Sequence, residues 1–148
     1  LSGVIGRGDI MDLPEVGNMS STHSANPMAC AVGLAVIEEI ESRNLIEESH
    51  RKGEVLKDKL NQLKEISNGK ISHILGEGLI TAILFQDPQT GEPDSLTASI
   101  VAEKCYEKGL LVVHTGRESI KLGPPLSITE EALLEGIEVL DLCIRDSV

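Results

Sequence analysis

Residues Ser20–Ala31 read SSTHSANPMACA, and this segment marks the point where an irregular stretch passes into a helix. Asn26 is a favourable N-cap, because its side-chain oxygen can accept a hydrogen bond from an amide of the first turn. Pro27 suits the first helical position, where its missing N–H is not needed. The preceding hydroxyls are donors of the kind that bind phosphate. The segment predicts either an anion site beside the helix start or a capped, buried helix after a serine-rich turn.

Four long helices are predicted in all. The first spans Pro27 to about Ser42, and its opening half, Met28–Ile37, is apolar almost all round, which predicts a buried helix. The second spans about Leu45–Ile66 and is amphipathic, with apolar residues at three- and four-residue intervals. The third is capped by Asp94 or Ser95 and runs to Lys108, and the fourth is capped by Thr129 and runs from Glu130 to about Arg145.

Strands are predicted between these helices, at Lys70–Leu75, Leu79–Gln86, Leu110–His114 and Ser119–Leu122. The second is a nearly continuous apolar run, which predicts burial on both of its faces. A further β-rich run occupies Leu1–Arg7. From residue 44 onward the order is α-β-β-α-β-β-α, with tight turns between paired strands. This order predicts an α+β layer, in which helices cover one face of an antiparallel-rich sheet.

Three segments, in the same order along the chain, resemble the motifs of one enzyme family. Leu1–Arg7 reads LSGVIGR, Ser21–Ala31 reads STHSANPMACA, and Ile120–Glu131 reads IKLGPPLSITEE. They are similar to the P-L-S-[AG]-V-I-G-R, S-T-[aromatic or His]-x-G-N-P-[LM]-A-x-A and I-R-[FL]-x-P-P-L-x-I-T-E-E segments of the class III aminotransferases. Ala25 stands where that family usually has glycine. The resemblance spans nearly the whole chain.

The resemblance implies an α+β fold with two parts. Residues 1–43 would be the tail of the large, cofactor-binding fold-type I domain together with the linking helix. Residues 44–148 would be the C-terminal small α+β domain, an antiparallel-rich sheet with helices. The lysine that carries pyridoxal phosphate in the family lies upstream of the first matching segment. We therefore expect the chain to be the C-terminal part of a longer enzyme, with no catalytic residue of its own, and to be inactive in isolation.

The resemblance also implies roles for four residues. Thr22, with Ser21 beside it, corresponds to the position that hydrogen-bonds the cofactor phosphate of the neighbouring subunit, which implies a homodimer. Lys121 stands where the family carries the arginine that grips the substrate carboxylate. Arg117, in the preceding turn, is the candidate that would replace it if Lys121 points to solvent. Because Lys lacks the planar fork of Arg, we expect a substrate spectrum different from that of the glutamate-dependent members.

The implied reaction transfers an amino group from an amine or amino acid to a 2-oxo acid. Two alternatives remain open at this point. One is an epimerase, aminomutase or decarboxylase of the same fold, since the segments seen here do not distinguish reaction outcomes. The other is a non-catalytic α+β binding module, which the absence of an acid/base cluster would allow.

Composition excludes several other classes of protein. The chain has 148 residues and a formal net charge of −11, which argues against nucleic-acid binding. It contains no apolar run of the ~20 residues needed to cross a membrane. Its three cysteines are far apart and predicted to be buried, reduced thiols of a cytoplasmic protein. Its four histidines lack metal-ligand spacing, so we predict no metal site.

Overall fold

Two units, Leu1–Asn44 and Leu45–Val148, make up the chain. The structure, a computed structural model, describes residues 2–18 and 21–147. Among these residues, no helix is both long and apolar enough to span a bilayer. The prediction that residues 1–43 are the tail of a larger cofactor-binding domain stays a prediction.

The first unit contains a short helix, α1 (Gly8–Met11), and a long one, α2 (Pro27–Ser42). The predicted bounds of α2 are confirmed, but its predicted burial is wrong. None of its residues is buried, and Met28 and Leu34 are 78% and 62% exposed. The described residues of this unit provide no layer that covers the apolar residues of α2. Residues 2–7 likewise form no strand, because a strand needs a hydrogen-bonded neighbour and the described residues of this unit provide none.

Three helices of the second unit are α3 (Leu45–Ile66), α4 (Ser95–Glu107) and α5 (Glu130–Arg145). Side-chain caps begin two of them, as the sequence predicts. The Asp94 carboxylate accepts from the Thr97 amide at 2.9 Å, and the Thr129 hydroxyl accepts from the Ala132 amide at 3.2 Å. Each cap satisfies an amide of the first turn that has no partner within the helix.

A four-stranded antiparallel sheet completes the second unit. Its strands are β1 (Ile71–Glu77), β2 (Ile80–Phe85), β3 (Val113–His114) and β4 (Ser119–Leu122), in the spatial order β1-β2-β4-β3. The predicted α+β fold with a small antiparallel sheet is confirmed. The strand predicted over 110–114 is shorter than expected, because only Val113 and His114 pair with β4.

One hydrophobic core joins the helices to one face of the sheet. Leu60 of α3, Val101 of α4, Cys143 of α5 and Ile83 of β2 are all fully buried in it. The prediction that β2 is buried on both faces is wrong for this unit, since Ile80 is 67% exposed. Strand side chains alternate between faces, and the described helices pack on the face that carries Ile83.

Candidate functional site

Residues 21–24, before α2, form a closed turn. The Ser21 amide donates to the Ser24 hydroxyl at 3.1 Å, and the Ser24 amide donates to the Ser21 carbonyl at 3.0 Å. The two hydroxyl groups also lie 3.0 Å apart. Ser21 therefore uses its hydroxyl to hold the turn, while its neighbour Thr22 makes no hydrogen bond to any described residue and is exposed. The turn presents the Thr22 hydroxyl as a donor for an external group.

The turn is joined to α2 by a well-formed cap. The Asn26 side-chain oxygen accepts from the amides of Met28 and Ala29 at 3.0 and 3.2 Å. Ala25, just before the cap, has a φ of +52°, in the left-handed region that favours glycine. This conformation explains in physical terms why glycine suits this position of the motif, and Ala25 adopts it at a cost of backbone strain.

Lys121 lies on β4, directly opposite Ala82 of β2 and Val113 of β3. Its neighbour Ile120 is fully buried in the core. Since side chains alternate along a strand, Lys121 is on the face of the sheet that faces away from that core, and it is exposed. Among the described residues Lys121 thus faces solvent, which is the arrangement under which Arg117 is the alternative candidate for the substrate carboxylate.

Arg117 lies in the connection between β3 and β4. Its guanidinium is 3.6 Å from the Glu118 carboxylate, and its side chain is 74% exposed. The Glu118 carbonyl accepts from the Phe85 amide at 2.7 Å, which ties this connection to the end of β2. Arg117 and Lys121 thus belong to one hairpin of the second unit, whereas Ser21 and Thr22 belong to the first unit.

A cleft of about 340 Å³ lies between β4, the chain that follows it, and α5. Leu110, Leu122, Pro125 and Ile137 are among its lining residues, and Lys121 is the one charged residue among the described residues that line it. The cleft is therefore predominantly apolar, and it lies on the helix-covered side of the sheet.

Lys52 is a buried cation to which the sequence analysis assigned no role. It is 7% exposed, and its ammonium donates to the Ile128 carbonyl at 2.7 Å and lies 3.5 Å from the Glu48 carboxylate. Arg51 bridges Glu48 and Glu130, and its hydrogen bond is the main cause of the lowered pKa of Glu48. The position of Lys52 within the apolar stripe of α3 was the available signal. This cluster holds the segment after β4 against α3.

Comparison with known proteins decides the family. The family model described as "Aminotransferase class-III" matches residues 1–144. The chain belongs to the class III aminotransferases. The matched region includes the serine-rich turn, the cap of α2, β4 and the start of α5, so the described geometry falls within family segments.

Individual relatives agree with this membership. The chain is 34% identical over 148 residues to a 4-aminobutyrate aminotransferase of Mycobacterium bovis. It is 36% identical over 148 residues to a leucine/methionine racemase of Thermococcus litoralis. Each match covers 99% of this chain and 33% of the relative. The crystal structure of acetylornithine aminotransferase from Elizabethkingia anophelis superposes with a TM-score of 0.83 and 34% identity, covering 96% of this chain and 34% of that one. The chain thus spans about a third of the length of the relatives it matches.

Proposed function

We propose that this chain is the C-terminal part of a pyridoxal-phosphate-dependent enzyme that transfers an amino group from an amine or amino acid to a 2-oxo acid. The observation that carries the proposal is the family match over residues 1–144. When bound, the cofactor supplies the electron sink for the chemistry at the substrate carbon. The contribution of this chain would be binding and orientation, and in isolation it would be inactive.

Thr22 and Ser21 are the residues that would hold the cofactor phosphate. The Thr22 hydroxyl is exposed and makes no hydrogen bond to any described residue, so it fits the role of a donor to a phosphate dianion. The Ser21 hydroxyl is engaged with Ser24 at 3.0 Å, so its direct role would be the smaller one. A hydrogen bond from a hydroxyl to a charged oxygen is stronger than one between neutral groups.

Lys121 is the residue that would bind the substrate carboxylate, with Arg117 as the second cation of the same hairpin. An ammonium attracts a carboxylate as a point charge, whereas the planar fork of arginine also fixes its orientation. Because Lys121 stands where the glutamate-dependent members carry that arginine, we favour a donor with a small or apolar side chain, such as alanine, over glutamate.

The intact enzyme would be a cytoplasmic homodimer. The phosphate bound by Thr22 would belong to the cofactor of the neighbouring subunit, so the site would be complete only in the dimer. Cys105 and Cys143 are buried as predicted, whereas Cys30 is only half-buried; all three are free thiols, which fits a reducing compartment. Light scattering on the intact enzyme tests the dimer directly.

The decisive experiment is an assay of the intact enzyme with alanine and with glutamate as donors, and with pyruvate and 2-oxoglutarate as acceptors. We expect transfer, with a higher kcat/KM for alanine than for glutamate. Lys121→Met should lower kcat/KM, and Lys121→Arg should keep activity and improve the relative use of glutamate. Chiral analysis of the donor belongs in the same assay. Racemisation without formation of a 2-oxo acid would contradict amino transfer.

A further inference from the structure

His114 links three elements of the second unit at the base of the hairpin that carries Arg117 and Lys121. It is the last residue of β3, is half-buried, and lies opposite the fully buried Ile120. Opposite residues of an antiparallel pair share a face of the sheet. The imidazole is therefore on the helix-covered face, whereas Lys121, the next residue of β4, is on the other.

Both ring nitrogens of His114 have hydrogen-bond partners. Nδ1 is 3.1 Å from the Ser119 carbonyl oxygen, and Nε2 is 3.0 Å from the Ser99 hydroxyl of α4. A carbonyl oxygen only accepts, so Nδ1 carries a proton and donates to Ser119. The Ser99 hydroxyl is also 2.9 Å from the Ser95 carbonyl one turn earlier. The ring thus connects α4 to the first residue of β4.

The hydrogen bonds of His114 lie at the base of the β3–β4 hairpin, where few other contacts among the described residues hold the chain. β3 pairs with β4 through only two residues, and the connecting residues 115–118 have no regular structure. The Glu118 carbonyl is held by the Phe85 amide, and the Ser119 carbonyl by the imidazole. These adjacent carbonyls set the direction in which the chain leaves Arg117 and enters the strand that carries Lys121.

We propose that His114 is a positioning residue for substrate binding, whose Nδ1 donation to the Ser119 carbonyl fixes the Arg117 turn and the start of β4. The proposal rests on the proposed function, since it takes Lys121 and Arg117 as the carboxylate-binding pair. His114 itself does not contact the substrate; it acts through the backbone that presents the two cations.

Matched variants separate its two hydrogen bonds. The side-chain amide of His114→Asn can still donate to Ser119 from the position of Nδ1, whereas the longer His114→Gln places its amide near the position of Nε2, toward Ser99. In the intact enzyme, KM is measured with alanine or glutamate, whichever is the better donor. We expect His114→Gln to raise this KM about three- to tenfold, because one hydrogen bond is lost. The kcat should stay within twofold, and His114→Asn should restore the KM to within twofold of wild type.

Amide hydrogen exchange of residues 115–119 provides a readout that does not depend on activity. Exchange should be faster in His114→Gln than in wild type and should return toward wild type in His114→Asn. If His114→Gln leaves both KM and exchange unchanged, the proposal is overturned. Equal loss of kcat and melting temperature in both variants would also overturn it, since that pattern is a general folding defect.

Lys121→Met distinguishes this proposal from the proposed function. If Lys121→Met raises KM but the His114 variants do not, the positioning role fails and the carboxylate site stands. If Lys121→Met leaves KM unchanged, the carboxylate site fails, and with it the role of His114 in substrate binding.

Discussion

The two units of the chain contrast in how they use apolar residues. The long helix of the first unit, α2, is more apolar than α3 of the second unit, yet none of its residues is buried. The long helix of the second unit, α3, is rich in charged residues, yet six of its residues are buried, among them Leu56, Leu60 and Leu63. Burial in this chain therefore follows the presence of a second packed layer and not the hydrophobicity of the helix alone.

This contrast has a functional counterpart. The second unit has its own core and presents Lys121 and Arg117 from a hairpin built on that core. The first unit presents Thr22 from a turn that is held by local hydrogen bonds. Exposed apolar residues of α2, such as Leu34, are suited to contacts beyond the described unit. The residues proposed to bind substrate thus lie on a unit with its own core, whereas those proposed to bind the cofactor do not.

Truncating one leucine in each unit should show the largest difference. Leu60 is fully buried, and Leu60→Ala should lower the free energy of unfolding of the second unit by about 2–5 kcal/mol, because it leaves a cavity. Leu34 is 62% exposed, and Leu34→Ala in the isolated chain should change stability by less than about 0.5 kcal/mol. Urea denaturation followed by circular dichroism measures both. Equal losses would contradict the contrast between the units.

A pair of glycines gives a sharper test of packing in the second unit. A Cβ added at Gly53 of α3 would lie 2.5 Å from the Gly78 Cα in the β1–β2 turn, so Gly53→Ala should cost about 1–3 kcal/mol. A Cβ at Gly136 of α5 would meet Leu110 at an ordinary 3.5 Å. Gly136→Ala should be neutral or stabilising by up to about 1 kcal/mol, since alanine favours helix. The melting temperature should fall in Gly53→Ala and should stay unchanged or rise in Gly136→Ala, and a harmless Gly53→Ala would disprove the close approach.

Asp94, the N-cap of α4, should give a smaller and pH-dependent effect. Hydrogen bonds from the Thr97 hydroxyl and amide lower the pKa of Asp94. A carboxyl whose pKa is lower in the folded state contributes stability above its unfolded pKa of about 3.9, and loses it as pH falls through the folded pKa. Asp94→Asn keeps an oxygen that can accept from the Thr97 amide but does not titrate.

We expect wild type to exceed Asp94→Asn in stability by about 1 kcal/mol at pH 7, the size of a charge-assisted hydrogen bond. The difference should shrink as the pH falls from about 5 to about 2. Urea titrations at a series of pH values measure it. A difference that is constant with pH would show that the carboxylate charge is not involved.

Local signals in the sequence predicted most of the fold. The caps Asn26, Asp94 and Thr129 and the spacing of apolar residues located the helices, because capping and amphipathicity are encoded within a few residues. Those signals do not report which surfaces a neighbouring layer covers, so the predicted burial of α2 and of both faces of β2 was wrong. The shortness of β3 also depends on pairing with a distant strand, which local sequence does not encode.

The candidate site was predicted through resemblance more than through chemistry. Thr22 and Lys121 were singled out by the family segments, and their roles stay predictions. Lys52 and His114 escaped notice because their contacts are long-range: the Lys52 ammonium binds a carbonyl 76 positions along the chain, and the imidazole binds Ser99. Such contacts exist only once helices and strands have packed together.

The most direct test of the account is the affinity of the intact enzyme for pyridoxal phosphate in Thr22→Val and Thr22→Ser, compared with wild type. Removal of a hydrogen bond to a charged phosphate should cost about 1.5–3 kcal/mol, so Thr22→Val should raise the Kd about ten- to hundredfold. Thr22→Ser keeps the hydroxyl and should stay within about threefold of wild type. A Thr22→Val enzyme that remains dimeric and binds the cofactor as tightly as wild type would contradict the assignment of this turn to the cofactor phosphate.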